Sequence, residues 1–227
     1  MRLDITDDCT IDGLQKALEQ EYDACYIFSR HGTPEINSFL LSAGAVLYDH
    51  KVTFRKTLSE NAAAQPDPRV RELRNSSREA VELAVSSGIH SRFYLDPHFR
   101  PKQPALYERW IANCFDQENG KVFGIRQDGV LAAVAGVTVS DGTGHLELIA
   151  VHSDFRRRGF ARTLIQAAEN FYLASGAATA EVVTQLDNAP ACATYRACGY
   201  KQKDSADVWH LWKKSSGKPD ETEKRKS

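Results

Sequence analysis

Between His145 and Gly176 the chain reads as a strand, a turn with three consecutive arginines (Arg156, Arg157, Arg158), a glycine (Gly159) and then a helix. Ala161, Leu164, Ile165, Ala168, Phe171 and Tyr172 recur at the i, i+3, i+4, i+7 spacing of one apolar helix face, and Gly176 closes the pattern. The order strand–loop–glycine–helix fixes much of what such a chain can fold into. The strand must sit in a sheet and the helix must return across it. The turn then presents backbone N–H groups at a helix N-terminus. Those amides and the positive end of the helix dipole form an anion site suited to a pyrophosphate. Gly159 permits the tight turn, Ala161 keeps the first helical turn uncrowded, and the arginines add charge.

A second segment, Asp187–Tyr200, reads as a capped helix followed by a strand. Asn188 is placed to cap it, Pro190 falls in its first turn, and Gly199 ends it. Asn188, Ala191 or Cys192, and Tyr195 share one face.

Together these segments carry a resemblance. Arg156-x-x-Gly159-x-Ala161 is similar to the Arg/Gln-x-x-Gly-x-Gly/Ala motif of the GNAT N-acetyltransferases. Asn188, Ala191, Tyr195, Gly199 and Tyr200 fit that superfamily's second pattern position by position. The resemblance covers Val122–Trp212. It implies an α/β fold with a mixed sheet and acetyl-CoA as co-substrate, with no metal. By that resemblance the donor contacts Ala150, Val151, Arg156, Arg157, Arg158, Gly159, Phe160, Ala161, Arg162, Asn188, Ala191 and Tyr195. It also implies a bulge that splays the strand ending at Val151, direct attack of an amine in a ternary complex, a backbone oxyanion contact at Val151, and Tyr195 as general acid. Glu147 and Asp49 are candidate bases, with His145 and His152 or a water chain as alternatives.

The rest of the chain reads as further α/β structure. Helices are expected near residues 11–22, 34–43, 69–87 and 103–117. Strands are expected at 25–28, 45–54, 122–126, 130–139, 180–186 and 207–212, with a hairpin turn at Gln127-Asp128-Gly129. Ala24–Pro34, its following helix, Gly44 and a strand weakly echo Ala180–Pro190, its helix, Gly199 and a strand. The first copy has Gly32 and Phe39 where Asn188 and Tyr195 stand in the second. The expected organisation is therefore a degenerate half-GNAT domain over 1–62, a GNAT domain over 63–214 and a charged, disordered tail over 215–227.

The formal net charge of −1 gives no overall pull toward nucleic acid or an anionic membrane, and the arginine cluster is confined to one loop. No apolar run approaches the ~20 residues of a membrane span, and MRLDITDDCT is too polar for a signal peptide, so a cytoplasmic protein is expected. The five cysteines lack zinc-site spacing and are expected to be free thiols.

For the acceptor, Ser91–Cys114 together with the segments above is similar to the bacterial TDP-fucosamine acetyltransferases. That similarity implies transfer to the 4-amino group of a dTDP-4-amino-4,6-dideoxyhexose for surface polysaccharide synthesis. Ser91, Arg92, Phe93, His98 and Arg100 are then substrate-binding candidates: aromatics to stack, arginines to pair with a pyrophosphate, and a histidine to meet a hydroxyl. A packed loop would use the same residues. The alternatives are an acceptor on a protein N-terminus, a lysine or a small amine, or a non-catalytic acyl-CoA-binding module. A homodimer is a further expectation from the family.

Overall fold

The computed structural model describes residues 1–6, 9–30, 32–59 and 65–213. The expected disordered tail from 215 lies outside these residues, as does residue 62, where the expected domain boundary falls. The chain forms two compact units, dividing at Tyr48/Asp49 and at Ser205/Ala206. The described elements alternate strands and helices, an α/β fold: β1 (Arg2–Ile5), α1 (Ile11–Leu18), β2 (Ala24–Ser29), α2 (Pro34–Ser42), β3 (Val46–Thr57), β4 (Val70–Leu73), α3 (Arg78–Ser87), α4 (Arg92–Leu95), α5 (Gln103–Asp116), β5 (Gly120–Gln127), β6 (Val130–Ser140), β7 (Thr143–Val151), α6 (Phe160–Ala174), β8 (Thr179–Gln185), α7 (Ala189–Ala197) and β9 (Lys201–Trp212).

The smaller unit runs from Met1 to Tyr48 and resumes at Ala206. In it β1 lies parallel to β2, and β2 pairs antiparallel with the end of β9, Tyr26 opposite His210. Leu14 of α1 and Ile36 and Leu40 of α2 close over Cys25, Ile27, Trp209 and Leu211.

The larger unit, Asp49–Ser205, carries the sheet order β3-β8-β7-β6-β5-β4. All neighbours are antiparallel except β7 and β8. β6 is buried on both faces from Leu131 to Thr138, as a central strand of small and β-branched residues must be. Its residues alternate between two cores. Ala133, Ala135 and Val137 meet Leu164, Ile165 and Ala168 of α6, while Val134 meets Leu83 of α3 and Ile111 of α5.

Three expectations change. Residues 69–87 are not one helix. Val70–Leu73 pair antiparallel with Val122–Ile125, and the helix starts only at Arg78, where the Ser77 side chain accepts from the Ala80 N–H. Helical propensity over so short a stretch is outweighed by the free edge of β5. The Ser91–Pro101 loop holds one turn of helix, α4, and a 3-10 turn. β1, unassigned from the sequence, forms by parallel pairing with β2.

The echo between the two β–α–β pieces has a counterpart in pairing. The strand after the first piece, β3, pairs with β8 of the second, and the strand after the second, β9, pairs with β2 of the first.

One close approach fixes how α6 sits on the sheet. A Cβ at Gly144 would come within 2.2 Å of the Tyr172 ring, so only glycine lets that ring lie flat on β7. The Tyr172 hydroxyl is buried without a hydrogen-bond partner among the described residues, and burial raises its pKa well above that of an ordinary phenol. An orphaned buried hydroxyl costs roughly 1–3 kcal/mol. Tyr172→Phe is therefore expected to raise the midpoint of urea unfolding, equivalent to about 1 kcal/mol, at unchanged m-value. A lower midpoint would mean the hydroxyl is satisfied in solution.

Candidate active site

The site begins with a fault in the sheet. β7 pairs with β6 along its whole length, but the register slips: Leu146 faces Val137 and Leu148 faces Gly136, leaving Glu147 as the extra residue of a bulge. On its other edge β7 pairs with β8 only from Thr143 to Leu146. Beyond that point β8 keeps its bonds to β3, and β7 continues to Val151 paired with β6 alone. A wedge opens between the two parallel strands.

The backbone groups facing this wedge follow from strand geometry. The His152 N–H donates to the Ala132 carbonyl of β6 at 2.9 Å. Amide direction alternates along a strand, so the N–H groups of Ile149 and Val151 point away from β6, toward the open edge. The Val151 carbonyl is on that same side and accepts from Arg156 Nε at 3.4 Å.

Two helices flank the wedge. α6 begins at Gly159, whose φ of 82° lies in the left-handed region, preceded by Arg157 at φ 63°. The N-cap residue Gly159 has no side chain to cap α6, which leaves the first-turn amides without a cap hydrogen bond from it. A Cβ at Gly159 would meet nothing within 4 Å. The glycine is required there by backbone conformation, and the space over the amides is open. That opening fits a phosphate group. α7 begins at Asn188, whose Oδ1 accepts from the Ala191 N–H at 3.3 Å.

Between these elements lies a cleft of about 550 Å³. The structure brings to it Ala150, Val151, Arg156, Arg157, Gly159, Phe160, Ala161, Arg162, Asn188, Ala191 and Tyr195. Tyr195 is 4% exposed, with its ring 5.9 Å from that of Phe54 and 6.3 Å from that of Tyr200. Burial pushes its phenol far above the ordinary value and keeps it protonated throughout the neutral range.

Other expected site residues lie elsewhere. Arg158 does not line the cleft; its guanidinium stands over the Phe155 ring at 5.1 Å. Cys192, an alternative to Ala191 on the helix face, turns its thiol to the Gln185 carbonyl. Glu147, in the bulge, accepts from the Thr138 hydroxyl at 2.8 Å. Asp49 is 3% exposed, with Oδ2 3.7 Å from Arg92 Nη1 and Gln185 hydrogen-bonded to it. Neither acid lines the cleft.

The acceptor candidates in Ser91–Pro101 largely engage each other and nearby residues. Ser91 Oγ donates to the Gly88 carbonyl, and Arg92 faces Asp49 and stacks on Phe93. Phe93 packs edge-on against Phe99, His98 meets Asp96, and Arg100 Nε donates to the Tyr94 carbonyl. None of the five lines the cleft.

In their place the wall is completed by Ser86, Ser87, Ile89 and His90, from the end of α3 and the 3-10 turn after it. Local sequence carries no sign of this, since Gly88 reads simply as a helix end. Thr194 and Cys198, also in the wall, could have been found by extending the i+3 and i+7 spacing from Ala191.

Burial raises the Asp49 carboxyl to about 6, against the pull of Arg92. The folded state thus holds a proton that the unfolded chain, near 3.8, has already released. This group's contribution to stability is complete below about pH 3.8 and is lost as pH rises through 6. The difference amounts to ~3 kcal/mol. Asp49→Asn is expected to gain stability relative to the parent by up to that amount between pH 4 and pH 7, read from urea unfolding at each pH. A difference that does not change with pH would show that Asp49 carries no such shift.

The sequence profile of the acetyltransferase (GNAT) family matches residues 87–200, half of the chain. The chain belongs to the GNAT family. GNAT structures share its fold at low identity. A GCN5-related N-acetyltransferase from Sphaerobacter thermophilus superposes with TM-score 0.54 at 13% identity, over 88% of this chain and 64% of that one. A tandem GNAT protein from the clavulanic acid biosynthesis pathway gives TM-score 0.57 at 14% identity, over 91% and 69%. PaiA N-acetyltransferase from Thermoplasma acidophilum, solved with coenzyme A, gives 0.52 at 14% identity, over 63% and 99%. Among curated proteins none matches. GNAT enzymes transfer acetyl groups to amines of small molecules or proteins. Among the described residues no helix is long and apolar enough to cross a membrane.

Proposed function

We propose that this GNAT chain is an acetyl-CoA-dependent N-acetyltransferase working by direct attack of an amine on the thioester. The observation that carries the reading is the wedge between β7 and β8, where the outward amide of Val151 and the buried Tyr195 face one cleft beside the uncapped start of α6. The donor diphosphate lies on the first-turn amides of α6, with Arg156, Arg157 and Arg162 around it. The Val151 N–H stabilises the developing oxyanion. Tyr195 is the general acid for the leaving sulfur. A thiolate, with a reference pKa of ~8.5, is a weaker base than this buried phenolate. Its main contribution is therefore a hydrogen bond to sulfur as charge builds there.

The acceptor enters past Ser86, Ser87, Ile89 and His90. No carboxylate lines the described cleft, so nothing there would hold a polycation. This favours an acceptor that is neutral or anionic around its amine, and the reading extends to the 4-amino group of a dTDP-4-amino-4,6-dideoxyhexose. The similarity of Ser91–Cys114 to the TDP-fucosamine acetyltransferases supports that extension. The N-terminal β–α–β piece is, in the same reading, a half-copy that has lost the chemical residues.

The test is a thiol-release assay with acetyl-CoA across dTDP-4-amino sugars, polyamines and peptides. Turnover confined to the amino sugars supports the full reading. Turnover confined to another class removes the sugar and keeps the transferase. Coenzyme A binding without transfer to any amine would leave a binding module.

A further inference from the structure

The proposed reaction needs a group that accepts a proton from the acceptor, because a primary amine is largely an ammonium ion at neutral pH and attacks only when neutral. We infer that His90 is that proton acceptor. The inference rests on the transferase reading of the cleft and adds a residue to it.

Three observations carry it. First, His90 lines the same cleft as Ala150, Val151 and Tyr195 and is carried there by the turn after α3, an element separate from the arginine turn before α6. Second, the other ionisable side chains in the described lining are poor bases near neutrality. Arg156, Arg157 and Arg162 carry hydrogen-bond donors and no acceptor, while burial raises both Tyr195 and Cys198. Among the described lining residues His90 is the one whose side chain offers a ring nitrogen lone pair to accept a proton. Third, the two carboxylates that sequence suggested are engaged outside the cleft, Glu147 with Thr138 and Asp49 with Arg92 and Gln185.

The turn that carries His90 is also firmly held. The Ser91 N–H and Oγ both donate to the Gly88 carbonyl, and Gln103 Nε2 donates to the Val85 carbonyl. A Cβ at Gly88 would come within 2.5 Å of both Gln103 Nε2 and the Tyr107 ring, so the turn is packed directly onto α5. A base held by its backbone in this way loses little freedom when the amine arrives.

The titratable groups on the three helices packed against the turn are Arg78, Glu79 and Glu82 on α3, Arg92 and Tyr94 on α4, and Tyr107, Glu108, Arg109, Cys114 and Asp116 on α5. Arg78 pairs with Glu82, Glu79 with Arg126, and Arg92 with Asp49, while Arg100 stands over Tyr94. The other ionisable groups lining the same cleft are Arg156, Arg157, Arg162, Tyr195 and Cys198.

In the reaction the ammonium gives one proton to His90, which releases it to solvent after turnover. The freed nitrogen lone pair forms the N–C bond to the acetyl carbon as the C–S bond breaks. The second proton lost by nitrogen ends on the sulfur, giving the amide and free coenzyme A.

The experiment compares the parent with His90→Gln and His90→Ala, using the acceptor identified by thiol release. It measures kcat/KM against pH, coenzyme A affinity by calorimetry, and melting temperature. A second acceptor, an aryl amine or hydroxylamine already neutral at pH 7, is run in parallel. The expected result is a loss of ~10²-fold in kcat/KM with the ammonium acceptor and disappearance of the acid limb of the profile, at unchanged coenzyme A affinity. The deficit should largely vanish with the neutral amine, which needs no base. Retention of kcat/KM within about threefold with the same acid limb, or an equal deficit with both amines, overturns the inference. A fall in melting temperature and coenzyme A affinity in step with the rate also overturns it, by making His90 structural. If the parent neither binds coenzyme A nor releases thiol, the donor-site reading itself fails, an outcome seen before any variant is made.

Discussion

Tyr195→Phe is expected to lower kcat by ~10²-fold or more and to leave coenzyme A affinity where it was. The two effects separate because the hydroxyl and the ring do different work. The ring is packed between Phe54 and Tyr200, and phenylalanine keeps those contacts, so the cleft wall retains its shape. In the proposed reaction what is lost is one hydrogen-bond donor to the leaving sulfur. A hundredfold loss corresponds to ~2.7 kcal/mol of transition-state stabilisation, in the range of a single well-placed donor in a dry site. Because burial raises the phenol far above its ordinary value, the hydroxyl stays protonated, and the parent should show no loss of kcat below pH 10 attributable to it. Steady-state kinetics on both proteins, with calorimetric titration of coenzyme A, checks all three points. Full turnover in the variant would remove Tyr195 from the chemistry.

Gly159→Val is expected to weaken coenzyme A binding by ~10- to 100-fold. Gly159 holds φ at 82°, where a β-branched residue is strongly disfavoured, so the turn must shift to relieve the strain. Any shift turns the first amides of α6 away from their common focus. Strain alone would also lower stability by ~1–2 kcal/mol, which could depress activity without touching the site. Gly129 separates the two effects. It has φ 81°, a Cβ placed on it would meet nothing within 4 Å, and it sits in the β5–β6 hairpin outside the cleft. Gly129→Val should lose similar stability and keep coenzyme A affinity. Equal loss of affinity in both variants, measured by calorimetry, would mean that the Gly159 turn has no special part in binding.

Local sequence determined the elements whose signals are self-contained. The periodic face from Ala161 to Tyr172, the Asn188 cap, the Asp128-Gly129 turn and the glycine before α6 depend on neighbours a few residues away, and each forms where the pattern placed it. The two segments that flank the cleft were legible for that reason, since both are helix starts whose chemistry lies in the first turn. What only tertiary structure decided depends on residues distant in the chain. Val70–Leu73 becomes a strand because β5 offers an unpaired edge. The extra residue at Glu147 matters because β8 stays with β3 while β7 parts from β8 after Leu146. Arg92, His98 and Arg100 look like ligands for a phosphate or a sugar in a linear reading, yet folding gives each a partner within its own unit. His90 follows an unremarkable helix end and reaches the cleft only because Gly88 packs onto α5. Caps, turns and helix faces are set by near neighbours, whereas strand pairing and the direction in which a charged side chain is satisfied are set by whatever the fold brings beside them.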